Sequence, residues 1–283
     1  MLVDTHGHLN FNAYKDDSKE ALERALSAGI SLIMPGSQYS TSKRAVELAE
    51  KWNDSRVWAA VGLHPIHIEK RKVDKNEVGE HIEYETYAEK FDREKYQELA
   101  KSDKVVAIGE VGLDYWYRPK DKSKRAPYEN KQAEALKEQM NFALDMELPL
   151  ILHCRIAHKN LIKILRDHPH TEKFDIPGVV HSYTGSAKQF KEFEAMGYYI
   201  GVNGLIFKLD LVRDAVKAAP LERIVLETDA PYLNPPQVEE ERNEPANLKY
   251  IAEKIAEIKG VPFEEVEKQT TENAQRVFGV EFK

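Results

Sequence analysis

Eight short apolar runs recur along the chain, and helical patterns separate most of them. The runs are Leu2–Leu9, Ser31–Pro35, Val57–His64, Val105–Asp114, Pro149–Arg155, Gly178–Tyr183, Tyr198–Gly204 and Arg223–Ala230. Helical periodicity occupies Ser18–Ala28, Thr41–Lys51, Glu129–Met146, His158–Asp167, Ala187–Met196 and Leu209–Ala218. Consecutive strands joined through a helix pair in parallel, because a parallel pair needs a long crossover. Eight such units in 283 residues predict a closed (β/α)8 TIM barrel of the α/β class, with an open doubly wound sheet as the alternative. Asn247–Lys259 and Phe263–Phe278 read as two closing helices. No internal repeat, low-complexity tract or linker interrupts the pattern, so residues 1–283 are expected to form a single domain.

Two segments exceed what a barrel needs. Residues 68–93 are charged and follow the third strand; residues 117–128 follow the fourth and carry Arg118, Lys120, Lys122, Lys124 and Arg125. Both are expected at the C-terminal mouth of the barrel, where active sites of this fold lie. The net charge of −7 excludes a general polyanion binder, so contact with nucleic acid would need a local basic rim or bound cations. One cysteine, Cys154, allows no disulfide within the chain and fits a cytoplasmic address. No apolar run approaches the roughly 18 residues of a membrane span, and with strand-like sequence from Leu2 no signal peptide is expected.

Polar residues sit where barrel interiors favour Val, Ile and Leu. In "MLVDTHGHL", alternation puts Asp4, His6 and His8 on one face. "AIGEVGLDY" puts Glu110 at the end of the fourth strand, "ILHCR" puts His153 near the end of the fifth, and "VVHSYTG" puts His181 near the end of the sixth. "LETDAPYL" puts Asp229 at the end of the eighth, and "VGLHP" adds His64 on the third. Imidazoles bind borderline divalent metals, and this many donors exceed what one tetrahedral ion takes. They suit two divalent ions sharing a carboxylate, with Glu110 as the bridge and Asp229 as the acceptor of the attacking water's proton. Zinc or manganese suits the histidines, and magnesium the carboxylate side.

The motifs "DTHGHL", "GLHP", "IGEVGLDY", "LHCR", "HSYTG", "ETDAPYL", "RNEPANLKYIAEKIAEIKG" and "TTENAQRVFG" run in order from Leu2 to about Phe278. Together they resemble the TatD-type metal-dependent hydrolases of the amidohydrolase superfamily. The resemblance implies a (β/α)8 barrel, a divalent-metal site and deoxyribonuclease activity. Carried over position by position, it implies metal ligands at His6, His8, Glu110, His153, His181 and Asp229. The chain departs from the family where Ser or Thr often follows the fifth-strand histidine, here Cys154, and where Cys-Phe often follows the sixth, here Ser182-Tyr183.

Further residues carry weaker expectations. His64, Asp114, Arg155 and Tyr183 are candidate substrate contacts: His64 through the family motif, Arg155 as a guanidinium fork for phosphate, Asp114 at the mouth, and Tyr183 on the face of His181. Alternation points Cys154 outward. Asp4 and Glu227 would support the metal ligands from behind. Arg242 reaches toward substrate, and Asn243 reaches it too or caps the next helix. His158, His168 and His170 read as surface residues, while Tyr115 and Trp116 could stack on a base or pack a lid. The leading functional expectation is a two-metal phosphodiesterase acting on DNA, on single strands or ends. The alternative keeps the site and cleaves a carboxylic ester, an amide or an aminoacyl ester, since fold and ligands do not choose the bond. A non-catalytic scaffold would have no need of six inward polar groups.

Overall fold

The structure, a computed structural model, describes residues 1–69, 71–73, 84–86 and 88–282. Eight parallel strands form one sheet in chain order: β1 (Leu2–Asp4), β2 (Ile30–Pro35), β3 (Val57–Val61), β4 (Val105–Asp114), β5 (Leu150–Arg155), β6 (Gly178–Val180), β7 (Tyr199–Val202) and β8 (Ile224–Leu226). Backbone bonds join the two edges: Thr5 donates to Leu226 O (2.9 Å), Asp229 to His6 O (2.8 Å) and His8 to Ala230 O (2.8 Å). The sheet is therefore a (β/α)8 barrel, not an open doubly wound sheet.

Helices α1 (Ser18–Ser27), α2 (Tyr39–Trp52), α3 (Arg93–Ala100), α4 (Lys122–Met146), α5 (His158–Arg166), α6 (Pro169–Lys173), α7 (Ala187–Ala195), α8 (Asp210–Ala218), α9 (Leu248–Lys259) and α10 (Phe263–Phe278) accompany the strands. Their ends follow local chemistry. Ser186 and Gln189 form a reciprocal capping box at α7, and Gly260 and Gly279 close α9 and α10 in the left-handed conformation. Much of residues 117–128 is helical. Asp121 caps α4 by accepting from Ser123 N (2.9 Å), and the helix runs on through Pro127, whose ring hid those first turns from the sequence pattern. Within the long segment 68–93, Arg71–Val73 pairs antiparallel with Tyr84–Thr86. Positions 70, 74–83 and 87 of that segment lie outside the described residues.

The core has two layers. Leu32, Met34, Leu150 and Leu152 point outward into the layer shared with the helices, as does Cys154. Val3, Ile33, Ala60, Val106, Ala107, Ile151, Val179, Tyr199 and Val225 point inward, at least one from every strand. Ala274, Val277 and Phe278 of α10, with Phe282, complete that inner cluster and plug the barrel at the end opposite the mouth. Each large apolar side chain buried this way contributes roughly 1.5–3 kcal/mol. Val3 facing inward means Asp4 does not share the face of His6. β1 ends at Asp4 and the chain bends at Thr5, which resets the alternation.

Three expected surface histidines are interior. His158, His168 and His170 are all buried, because α5 and α6 turn these faces onto the barrel layer rather than to solvent. His170 Nε2 donates to Leu148 O (3.0 Å), and His168 Nδ1 accepts from His170 N (3.2 Å). His158 packs edge-on against Tyr183, and its Nε2 is buried without a partner.

Asn273 of α10 is fully buried and donates to Leu221 O and Ile224 O, both at 2.8 Å, tying the plug to β8. Asn273→Ala removes both of these bonds, leaving Leu221 O with only the Ile224 N–H, and is expected to cost about 2–3 kcal/mol of stability in urea unfolding. Burial lowers His158 to about 4, below its ordinary 6.5. The unfolded chain then binds the extra proton first, so stability held above pH 6.5 is lost as pH falls toward 4. His158→Phe is expected to flatten that slope by about one proton, read from unfolding curves across this pH range.

Candidate metal centre

A cavity of about 570 Å³ opens at the C-terminal mouth, lined among others by His8, His64, Glu110, His153, His181 and Asp229. Several strands deliver these side chains in ways simple alternation does not describe. Glu110 is not at the end of β4 but in its middle, where the pairing with β5 shifts register between Ile108 and Val111. His6 and His8 lie beyond the end of β1, on a segment held to the last residue of β8 by Thr5 N and to the chain after it by His8 N. Asp229 adopts φ 55°, a left-handed conformation that aspartate tolerates better than most residues, just past β8.

Glu110 is the hub. Its Oε2 lies 3.4 Å from His6 Nε2, while its Oε1 lies 2.7 Å from His153 Nδ1, 3.4 Å from His64 Nε2 and 3.6 Å from His181 Nε2. On the Oε2 side, His6 Nε2 and His8 Nε2 are 3.1 Å apart, and Asp229 Oδ1 is 3.5 Å from His8 and 4.0 Å from His6. The carboxylate thus faces two donor groups with different oxygens.

These separations suit coordination. A tetrahedral ion with bonds near 2.0–2.1 Å holds its donors about 3.3 Å apart. The ring tautomers agree. His8 Nδ1 is spent on Pro35 O (3.1 Å) and His181 Nδ1 on Glu227 Oε2 (3.0 Å), so each presents Nε2 to the cavity, and His6 Nδ1 has no partner. His64 differs: its Nδ1 accepts from Ile66 N (3.0 Å), which leaves Nε2 as a proton donor rather than a lone pair.

Electrostatics describe a cluster organised around positive charge. Burial opposes ionising Glu110, yet His64, His181 and His6 hold its carboxyl well below the usual range. Burial likewise opposes ionising Asp229, but His8, His181 and His6 hold it low. Against burial, the carboxylates of Asp114 and Glu110 raise His153 to about 9, and those of Glu227 and Glu110 raise His181 to about 10. Burial and neighbouring His181 lower His6 to about 4. In the free chain, imidazolium supplies the charge that a divalent cation would supply among the same groups, so the residues fit such an ion.

Over residues 3–279 the sequence matches the family described as TatD related DNase. The chain belongs to this TatD family. It is 36% identical over 283 residues to the uncharacterized metal-dependent hydrolase YabD of Bacillus subtilis, covering 99% of this chain and 100% of that one. It is 32% identical over 290 residues to the 3'-5' ssDNA/RNA exonuclease TatD of Klebsiella pneumoniae, covering 99% and 98%. The crystal structure of the TatD homologue YjjV from Escherichia coli superposes with a TM-score of 0.80 at 31% identity, covering 99% of this chain and 98% of that one.

Around the TatD-family cluster, several expectations change. Tyr183 does not face the cavity. Ser182 takes φ 47°, which breaks the alternation after β6, and Tyr183 is buried with its hydroxyl on Ser186 O (2.8 Å). Ser182 and Thr184 line the cavity instead. Asp114 Oδ2 is 3.2 Å from His153 Nε2 and its Oδ1 accepts from Trp116 N (2.9 Å). Arg155 does line the cavity, with its guanidinium 4.3 Å over the Trp116 ring. Arg242 turns away to pair with Asp17, and Asn243 ties the chain after β8 by donating to Tyr232 O (2.7 Å) and accepting from Glu244 N (2.9 Å).

The two expected supports divide. Glu227 braces the His181 ring and also accepts from Ser182 N (2.7 Å) and Asn203 Nδ2 (3.0 Å). A side chain at Gly201 would strike Glu227 Oε2 at 2.2 Å, so only glycine leaves it room. Asp4 instead accepts from the main chains of His6 (3.1 Å) and Thr228 (2.9 Å), fixing backbone rather than imidazole. Asn203 was missed as a contributor; its signal is a polar residue directly after the apolar run of β7.

Glu227→Gln removes the foremost charge raising His181. In metal-free protein the His181 imidazole is expected to titrate below about 10, which an NMR pH titration of the ring resonances measures.

Proposed function

We propose that the chain is a divalent-metal-dependent hydrolase cleaving DNA phosphodiester bonds, on single strands or at ends. The observation that carries this reading is the split of Glu110, whose two oxygens face separate donor groups. His6, His8, Asp229 and Glu110 Oε2 would hold one ion, and Glu110 Oε1 with His153 and His181 a second. Bound ions of this kind lower the pKa of water and neutralise charge on a phosphoryl oxygen. Zinc or manganese suits this imidazole-rich set better than magnesium. The nuclease name of the Klebsiella relative supports DNA as the substrate class.

The protein's own groups divide the remaining work. Asp229, held ionised by His8, His181 and His6, accepts the proton of the attacking water. His64 offers Nε2–H to a substrate oxygen, because its other nitrogen is taken by Ile66 N. Arg155, at the wall of the cavity, presents a guanidinium to phosphate. Asp114 keeps the His153 ring in place through Nε2. Glu227 does the same for His181 through Nδ1.

A cleavage assay on labelled single-stranded DNA tests this, run beside an aminoacyl ester after reconstitution with zinc, manganese or magnesium. DNA cleavage is expected to vanish with chelator and to fall in Glu110→Ala by more than the roughly 10–100-fold of an outer-sphere change. Ester cleavage without DNA cleavage would move the function to acyl hydrolysis at the same site.

A further inference from the structure

Among the described residues, Trp116 and Ile156 are strongly exposed large apolar side chains, each 56% exposed. They lie on neighbouring loops at the mouth, directly after β4 and β5. Ile156 also has φ 59°, a conformation that a β-branched residue adopts only where the surroundings impose it, and such outliers gather at ligand sites. The two loops are pinned together by Tyr115 N donating to Arg155 O (2.8 Å). Trp116 is fixed through its own N–H on Asp114 Oδ1 (2.9 Å). Between them Arg155 lines the metal cavity and stacks 4.3 Å over the indole. A solvent-facing indole, a cation on its ring and an apolar neighbour thus stand beside the part of the cavity wall that Arg155 lines.

Beyond Ile156 a second, smaller cavity of about 290 Å³ is lined by Lys159, the first turn of α5, and Arg118 with Glu129, which pair at 3.3 Å. Ala157, which precedes α5, gives its free N–H groups no side-chain cap. An aromatic face beside the cleavage site, followed by cations, matches the repeat of a nucleic-acid strand: base, then phosphate. A duplex hides its base faces by stacking, so the ledge suits only an unpaired base.

We propose that Trp116, Arg155 and Ile156 form a subsite for one unpaired nucleobase next to the bond being cleaved, with the following phosphate beside Arg118 and Lys159. The subsite rests on the nuclease reading above and deepens it: it makes the rim of β4 and β5 the selector for single strands. Arg155 fixes the indole from one side, and the base stacks on the surface that remains open. Trp116 is a binding residue here, outside the cluster around Glu110.

The test uses the full chain with its metal and a phosphorothioate-linked oligothymidine, which resists cleavage, followed by fluorescence anisotropy. Trp116→Ala is expected to weaken binding roughly tenfold, and Trp116→Phe to keep it within about twofold, as loss and retention of one stacked base require. Binding of a blunt hairpin duplex should change less than about twofold in either variant. With a cleavable oligonucleotide, Trp116→Ala should raise KM by more than it lowers kcat, and Trp116→Phe should restore KM. Equal oligothymidine affinity in Trp116→Ala and wild type overturns the subsite, as does failure of the wild type to bind the strand. Trp116-dependent binding without DNA cleavage upholds the subsite and sinks the hydrolytic reading alone.

Discussion

A single buried carboxylate organises the mouth of this barrel. Glu110 approaches four imidazoles from three other strand ends and from the segment after β1, and its two oxygens do not share neighbours. Taking so many titratable groups out of water is costly unless each finds an opposite charge or a hydrogen bond. The surrounding structure meets that demand for all of the ring nitrogens around Glu110 except His6 Nδ1. Pro35 O fixes His8, Glu227 fixes His181, Asp114 fixes His153, and Ile66 N fixes His64. The rotation of each ring is thereby set before any ligand arrives, which is what keeps donors at coordinating separations.

Much of this was legible in the sequence, because a barrel repeats one rule eight times. Strand-helix alternation is enough to give the parallel sheet, and polar residues at strand ends are enough to gather His6, His8, Glu110, His153, His181 and Asp229 around one cavity. What was illegible came from breaks in the rule. The bend at Thr5, the register shift at Glu110 and the left-handed Ser182 each change which face a side chain takes. Hence Asp4 was assigned to the wrong face and Tyr183 to the cavity. The glycines on either side of Glu110 are a local sign of the shift in β4, whereas the resets at Thr5 and Ser182 depend on hydrogen bonds to other strands.

Histidine content misled in a different way. His158, His168 and His170 sit among charged neighbours in the sequence, yet neutral imidazole is a small enough hydrophobe to be buried when one nitrogen is met. The same chemistry therefore serves packing in α5 and α6 and ligation at the mouth. Only the convergence of several strands separates the two uses.

The plug formed by α10 and Phe282 reaches beyond stability. It fills the barrel beneath the cluster with hydrocarbon, so the charges at the mouth have a low-dielectric wall below and water only above. Field lines are squeezed out through the opening instead of spreading through the molecule. An ion or a phosphate approaching that opening feels the cluster's potential while still several water layers away. The apolar end of the barrel thus shapes how strongly the polar end is sensed from solution, although the two share no contact.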